Sequence, residues 1–293
     1  MPTSSNIQRN SNAARRRLRR SPSRQLPRRG AHGPAEVRSQ GEAGCIRRKE
    51  GVGRLRGIAA RPVVCHPSRR RPRVGRSWNM RILLARHGET DWNTEGRYQG
   101  QGFDIPLSAA GRSQAQALAS RLADFEFTRV VSSPLLRARQ TAEIVLGDRS
   151  APLTLDPDLM EIAHGDWEGL LDAEVKERDE SRRRAWRETP HLVTLPGGES
   201  LEQVMARAWN AFHRACDGLH SEETLLMVSH DGVNRVLLCR ILGLSLARVW
   251  AFRQAPVCLN LLEGSDPEHL SLVRLNDASH LTPLFGEVVH RRV

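Results

Sequence analysis

Short apolar runs alternate with longer amphipathic segments from about residue 80 onward. Three of the runs predict buried strands, at residues 81–86, Arg129–Ser132 and residues 224–230. Each is short and almost entirely apolar, as in strands that are covered on both faces of a sheet. Two later runs, VCLNLLE and LSLVRLN, also predict strands, and their addition to the sheet in antiparallel orientation is left open.

Helical spacing follows each of the three buried strands. A helix is predicted after Ser108, whose side chain is a typical N-cap. In the next helix Ser133 is the predicted N-cap, Pro134 the first helical residue and Gly147 the stop. The third strand precedes DGVNRVLLCRILG, a helix that ends at Gly243.

Two further helices are predicted between the second and third strands. Residues 172–187 are rich in Arg and Glu, and the segment from Leu201 to Cys216 places apolar side chains at i, i+3 and i+4. Alternating strands and helices predict an α/β fold, a three-layer αβα sandwich with a mostly parallel central sheet.

Charge divides the chain into two parts. Residues 1–79 carry 21 Lys and Arg against 3 Asp and Glu, whereas residues 80–293 carry 24 against 30. The first part is Arg-rich and has no apolar periodicity, so it is predicted to be a disordered extension. Three explanations compete: an organelle-targeting segment, a basic arm that binds nucleic acid, or upstream sequence assigned to the chain in error. The third is favoured, because Met80 directly precedes the first strand.

We therefore predict that the native protein starts at Met80, which a mass measurement of its N-terminus checks. A protein truncated to Met80 should lose any binding to nucleic acid and keep whatever activity the folded part has. Retained nucleic-acid binding by the truncated protein would contradict this assignment.

Several classes of protein are disfavoured by what the sequence contains. Its apolar runs are shorter than the roughly 18–20 residues that span a bilayer, and a secretory signal pattern is missing. The cysteines form no CxxC pair, and their odd number favours a reducing compartment, so a cytoplasmic location is expected. They are Cys45, Cys65, Cys216, Cys239 and Cys258.

Polar side chains follow the three buried strands at the point where each strand ends. Arg86 and His87 end the first strand, Arg137 lies in the opening turn of the helix after the second, and Ser229 and His230 end the third. The ligand crevice of such sheets lies beyond the carboxyl ends of the strands. Arginines that converge there without carboxylates repel each other, so we expect an anion between them, and phosphate fits the guanidinium fork best.

Five ordered motifs carry a family resemblance: RHGETDWN, SSPLLRARQTAE, MEIAHGDWEG, PGGES and VSHDGVNR. Over roughly residues 80–280 the chain resembles the histidine phosphatase superfamily, which includes the cofactor-dependent phosphoglycerate mutases, and looks most like its broad-specificity phosphatase branch. The resemblance implies a phosphoglycerate mutase-like fold and a histidine phosphatase domain over residues 80–293.

The resemblance also implies roles for single residues. His87 would be the nucleophile that forms a phosphohistidine, with Arg86, Arg137 and His230 around the phosphoryl oxygens. Glu161 would protonate the leaving oxygen and later activate water.

Further residues are expected to bind substrate. Asn93 matches an asparagine that lines the phosphate pocket in relatives, and Gln99 and Gly100 are expected to add contacts. No metal-binding pattern is visible and cationic side chains already supply positive charge, so the chemistry is expected to need neither metal nor cofactor.

The function expected from these observations is hydrolysis of a small phosphorylated metabolite. Mutase relatives carry an ERHYG-like motif and a longer insertion after the catalytic glutamate, whereas this chain has EIAHGDWEG. Mutase activity remains the alternative, as does a nucleic-acid-binding protein that acts through residues 1–79. A homodimer is left open, and no membrane partner is expected.

Overall fold

The computed structural model describes residues 79–281. The strands in this range are β1 Met80–Arg86, β2 Arg129–Ser132, β3 Leu153–Leu155, β4 Thr224–Ser229, β5 Leu259–Asp266 and β6 His269–Asp277. The α-helices are α1 Asp91–Glu95, α2 Ala109–Arg121, α3 Leu136–Leu146, α4 Asp172–Glu188, α5 Leu201–Cys216 and α6 Asp231–Ile241.

The six strands form one mixed sheet in the order β3-β2-β4-β1-β5-β6. The first four of these are mutually parallel, and β5 and β6 are added in antiparallel orientation beyond β1. In the register between β1 and β4, Arg86 faces Ser229. The two central strands therefore deliver their last residues to the same edge of the sheet, as predicted.

Helices cover both faces of the sheet, because the side chains of each central strand alternate between two apolar layers. Ile82 and Leu84 of β1 pack in the layer that contains α4, α5 and α6. Leu83 and Ala85 pack in the layer that contains α2 and α3. The predicted three-layer αβα arrangement is confirmed.

The predicted start of α3 is wrong by two residues. The helix begins at Leu136 with Leu135 as its N-cap, so Ser133 and Pro134 precede it. The reason is that the Ser133 amide still donates to the carbonyl of Val228 at 3.0 Å, which keeps the backbone at the end of the sheet. Its hydroxyl lies against a histidine ring instead of capping the helix.

The other predicted elements agree with the structure in part. Ser108 caps α2 as predicted, through a hydrogen bond from the amide of Gly111. Helix α1 and strand β3 were not predicted, and α4 is kinked at Asp179. The prediction of a disordered extension lies outside the described residues. No helix within residues 79–281 combines the length and apolar character that crossing a membrane requires.

Candidate active site

The carboxyl edge of the sheet brings together the residues that the sequence singled out there. His87 directly follows β1, and its amide donates to the carbonyl of Ser229, the last residue of β4, at 2.9 Å. His230 is the residue before α6, and its ring centroid lies 5.1 Å from that of His87. Arg137 enters from the first turn of α3.

The His87 ring is held in one tautomer. Its Nδ1 atom lies 2.6 Å from the carbonyl oxygen of Gly88, and because a carbonyl only accepts, Nδ1 carries the proton. The Nε2 atom is therefore left with a free lone pair in the neutral ring. Burial, followed by the charges of Arg137 and Arg86, holds the pKa of His87 well below its usual range. The lowered pKa and the proton on Nδ1 both favour an uncharged ring whose Nε2 atom is unprotonated.

Two buried guanidinium groups flank this ring. Arg137 is fully buried and donates from Nη2 to the carbonyl of Gly100 at 2.9 Å, and Arg86 donates from Nη1 to the carbonyl of Gln254 at 2.6 Å. Within the described residues, Nε of Arg86 and both Nε and Nη1 of Arg137 have no hydrogen-bond partner. Burial lowers the pKa of Arg137 to about 10, so it still carries its charge at neutral pH.

A network of buried amides fixes the carbonyl that holds Arg86. Gln254 Nε2 donates to Asn260 Oδ1 at 3.0 Å, and Asn260 Nδ2 donates to Gln254 Oε1 at 2.8 Å and to the carbonyl of Leu84 at 3.0 Å. Asn234 Nδ2 also donates to Gln254 Oε1. These contacts tie β1, β5 and α6 to the loop that carries Gln254, and the loop in turn orients Arg86.

His230 has no exposed surface and is held by Ser133. Its Nε2 atom lies 2.8 Å from Ser133 Oγ, and its Nδ1 atom has no partner among the described residues. Burial is the main cause that keeps the pKa of His230 well below its usual range, with Arg137 and His87 adding to it. His230 contacts the His87 ring, but it is not one of the residues that line the cavity described below.

Glu161 lies on an irregular segment between two single 3₁₀ turns, Pro157–Leu159 and Gly165–Trp167. Its Oε1 atom accepts a hydrogen bond from the amide of Ile162 at 2.9 Å. A Cβ at Gly232 would lie 2.8 Å from this oxygen, so the carboxyl group packs against the first turn of α6. Burial raises the pKa of Glu161, and the charge of Asp231 raises it further.

A cavity of about 340 Å³ opens onto these groups. The predicted residues His87, Arg86, Arg137 and Glu161 line it, as do Asn93, Gln99 and Gly100. Its remaining wall comes from four separate parts of the chain: Glu89, Thr94, Arg97 and Tyr98; Ile162, His164, Trp186 and Arg187; Asp231, Gly232 and Arg235; and Trp250 and Pro256.

Three further residues were predicted to bind substrate: Asn93, Gln99 and Gly100. They differ in the contacts that they already make within the protein. The Asn93 side-chain oxygen accepts from the amide of Thr90 at 3.0 Å and closes a capping box at the start of α1. Gln99 is buried and its Oε1 atom has no partner within residues 79–281. Gly100 has a φ of 58° and contributes its carbonyl to Arg137.

Sequence reasoning missed several residues at this edge. Ser133 was interpreted as a helix cap and Gln254 was not singled out, although one contacts His230 and the other holds Arg86. The SSPLL segment could have indicated this role for Ser133. A serine that follows a strand can hydrogen-bond a neighbouring side chain as readily as it caps a helix. No pattern in the sequence indicates that Tyr98 and Trp250 line the cavity.

Within the part of the chain that the structure describes, no group of three or more His, Cys, Asp or Glu side chains is arranged to hold a metal ion.

The fold and the site together define an α/β protein in which two buried guanidinium groups with unpartnered donors lie beside a histidine of lowered pKa. Residues 82–278 match the family model of the histidine phosphatase superfamily (branch 1). The chain belongs to this superfamily, and the resemblance seen in its motifs is confirmed.

Relatives and solved structures are similar to about two thirds of the chain. Phosphoserine phosphatase 1 of Hydrogenobacter thermophilus is 33% identical over 71% of this chain and 97% of its own length. Adenosylcobalamin/alpha-ribazole phosphatase of Escherichia coli K12 is 34% identical over 63% of this chain and 90% of its own. The solved structure of Bacillus stearothermophilus YhfR has a TM-score of 0.65 at 33% identity, covering 69% of this chain and 100% of that one.

The buried histidines predict a loss of stability in acid. Burial, followed by the charge of Arg137, lowers the pKa of His164 to about 4. The unfolded chain takes up this proton below about pH 6.5, whereas the folded chain does not until about pH 4. From pH 7 to pH 5, His164 should therefore lower the free energy of unfolding by about 2 kcal/mol.

Urea unfolding at both pH values checks this prediction. The His164→Asn variant should lose about 2 kcal/mol less between them than the unaltered protein. His220→Asn, at an exposed histidine, is the matched control and should leave the pH dependence unchanged. An unaltered pH dependence in His164→Asn would contradict the assignment of a neutral, buried imidazole.

Proposed function

We propose that this protein is a phosphomonoesterase that hydrolyses a small phosphorylated metabolite through a phosphohistidine at His87. One observation carries the proposal: the His87 ring, with its proton on Nδ1, lies beside two buried guanidinium groups that each keep at least one N–H donor without a partner within residues 79–281. Such donors stabilise the charge that develops on a phosphoryl group during transfer. Membership of the superfamily supports the same chemistry.

In the first step, the lone pair of His87 Nε2 attacks phosphorus and the bond to the ester oxygen breaks. Glu161 donates its proton to that leaving oxygen, so the alcohol departs uncharged. The raised pKa of Glu161 supports this role, because a buried carboxyl group keeps its proton to higher pH than an exposed one does. The products are a phosphohistidine and a Glu161 carboxylate.

In the second step, the Glu161 carboxylate takes a proton from a water molecule as the oxygen of that water attacks phosphorus. The bond between phosphorus and Nε2 breaks, inorganic phosphate leaves, and both residues return to their starting states.

Arg86, Arg137 and His230 would hold the phosphoryl oxygens during both steps. The unpartnered Nδ1 atom of His230 supports its assignment as a donor reserved for the ligand. Asn93, Gln99 and Gly100 would complete the substrate contacts near the same cavity. Because Arg86 and Arg137 already supply two positive charges, we propose that turnover requires neither a metal ion nor a cofactor.

The size of the cavity and the relatives both bear on the leaving group of the substrate. A cavity of about 340 Å³ is much larger than a phosphate group, which supports a leaving group of several heavy atoms. The relatives named for phosphoserine and for α-ribazole support a small phosphorylated metabolite as the substrate class. Phosphoglycerate mutase activity is kept as the alternative, to be decided by experiment.

The remaining sequence predictions stand as proposals. We propose a catalytic domain that starts at Met80, a cytoplasmic location and a homodimer as the assembly to test first. The three cysteines in the described part, Cys216, Cys239 and Cys258, are buried free thiols, in keeping with the proposed location.

A panel of phosphomonoesters tests the reaction. We expect release of inorganic phosphate from several alkyl and aryl esters, and His87→Ala should reduce it by at least about a thousandfold because the nucleophile is lost. His220→Ala should be indistinguishable from the unaltered protein. The panel includes 3-phosphoglycerate with and without 2,3-bisphosphoglycerate, and net formation of 2-phosphoglycerate would establish the mutase alternative instead.

Dependence on metal is tested separately. Dialysis against EDTA should leave the turnover number unchanged, because Arg86 and Arg137 supply the positive charge. Vanadate, which adopts the geometry of the phosphoryl transition state, should inhibit at low concentration. Activity that disappears with EDTA and returns with a divalent cation would refute the proposed metal independence.

A further inference from the structure

Glu161 lies where the backbone has little regular structure of its own. Between the turns Pro157–Leu159 and Gly165–Trp167, the chain belongs to neither a helix nor a strand of the sheet. Carbonyl and amide groups in such a segment need partners from elsewhere when they are buried. Those partners determine where the Glu161 carboxyl group is placed.

Arg207 supplies partners on one side. This half-buried residue of α5 donates from Nη1 to the carbonyls of Asp158 at 2.8 Å and Met160 at 2.6 Å, and from Nη2 to the carbonyl of Glu161 itself at 2.9 Å. The planar guanidinium group presents these donors in a rigid fork. Three carbonyls of one irregular segment are therefore fixed relative to α5.

Glu199 of the PGGES motif supplies partners on the other side. Its carboxylate accepts from Arg207 Nε at 2.7 Å and from the amide of Ala163 at 2.8 Å. Its own amide donates to the carbonyl of Ala163 at 2.9 Å. Gln101 Nε2 bridges the two ends, since it donates to the Glu161 carbonyl at 2.7 Å and to Glu199 Oε2 at 3.2 Å.

The two loops are in addition pressed together, backbone against backbone. A Cβ at Gly198 would collide with the carbonyl of Ala163, and a Cβ at Gly165 would collide with that of Pro196. The amide of Asp166 donates to the Pro196 carbonyl at 2.8 Å. The glycines of both motifs thus allow Glu199 to reach the segment that carries Glu161.

We propose that Arg207 and Glu199 are positioning residues, which hold the backbone on both sides of Glu161 so that its carboxyl group reaches the leaving oxygen. Within the described residues, the hydrogen bonds of both side chains go to the backbone around Glu161, to each other and to Gln101, so they act through Glu161 and not on the substrate. This inference rests on the proposed role of Glu161 as the general acid. Displacement of a catalytic group by about 1 Å can cost on the order of a hundredfold in rate.

The dependence of the rate on the leaving group distinguishes positioning from general structural support. A p-nitrophenolate leaves readily without a proton, whereas an alkoxide needs one. The value of kcat/KM covers the steps up to departure of the leaving group. We therefore compare kcat/KM for p-nitrophenyl phosphate with kcat/KM for the best alkyl phosphomonoester of the panel.

In Arg207→Met, kcat/KM for the alkyl ester should fall by about 10- to 100-fold, whereas for p-nitrophenyl phosphate it should fall by less than about threefold. Arg129→Met is the matched control. Arg129 likewise donates from one guanidinium nitrogen to several carbonyls, among them those of Ala215 at 2.8 Å and Asp217 at 3.0 Å, at the far end of α5. It should leave both values within about twofold of the unaltered protein.

Glu161→Gln separates failure of this inference from failure of the proposed function. If Glu161→Gln lowers kcat/KM equally for both esters, Glu161 is not the general acid, and the inference is overturned along with its basis. Suppose instead that Glu161→Gln lowers kcat/KM for the alkyl ester alone. If Arg207→Met then lowers kcat/KM equally for both esters, or for neither, Arg207 has only a structural role.

Milder variants keep the test decisive if Arg207→Met does not fold. Glu199→Gln removes one charge without changing shape, and Gln101→Ala removes the bridging donor in a half-exposed loop. Both should show the same selective loss on the alkyl ester, of about 3- to 10-fold. Equal losses on both esters, or none, would overturn the proposal.

Discussion

The structure depends on two positively charged guanidinium groups buried at one edge of a parallel sheet. An uncompensated buried charge costs several kcal/mol, and neither Arg86 nor Arg137 forms an ion pair shorter than 4.0 Å within the described residues. Each is held by a backbone carbonyl, which orients the group without cancelling its charge. The remaining donors are available to an anion, and under the proposed function a bound phosphoryl group would compensate the cost of burying them.

The same charges explain the state of the imidazoles. Burial and the neighbouring arginines both disfavour a second positive charge, so the pKa values of His87 and His230 are lowered. The two guanidinium groups that we propose bind the phosphoryl group therefore also favour an unprotonated ring at His87, the proposed nucleophile. Glu161 responds in the opposite direction, because burial raises its pKa and outweighs the attraction of Arg137. One environment thus lowers the pKa of the imidazoles and raises the pKa of the carboxyl group.

Rigid support for these groups comes from outside the cavity. The amides of Gln254 and Asn260 are completely buried and satisfy each other, and they fix the carbonyl that orients Arg86. Arg207 and Glu199 do the same for the segment around Glu161. The reacting groups can be exposed at a cavity because their neighbours, not the ligand, determine their positions. The rest of the cavity wall comes from several separate parts of the chain.

Local patterns in the sequence were sufficient for the fold class and for most of the predicted site. The apolar runs identified β1, β2 and β4, because a strand buried on both faces has few polar residues. The order of the motifs placed His87, Arg137 and His230 at the ends of these elements, and parallel strands bring such ends together. β3 was missed because three residues carry too little periodicity, and α1 because its five residues include none that is buried.

What the tertiary structure alone decided are the contacts between segments far apart in the chain. Ser133 has the sequence signature of a helix cap, yet it contacts His230, which lies 97 positions further on. Arg86 is oriented by the carbonyl of Gln254, 168 positions away, and Glu161 is bracketed by Arg207 and Gln101. Hydrophobic periodicity indicates which face of a helix or strand is buried. The sequence therefore determined the three layers of the fold and the edge of the sheet at which the site lies. It does not record which polar partner a buried group meets, because that depends on how the layers pack.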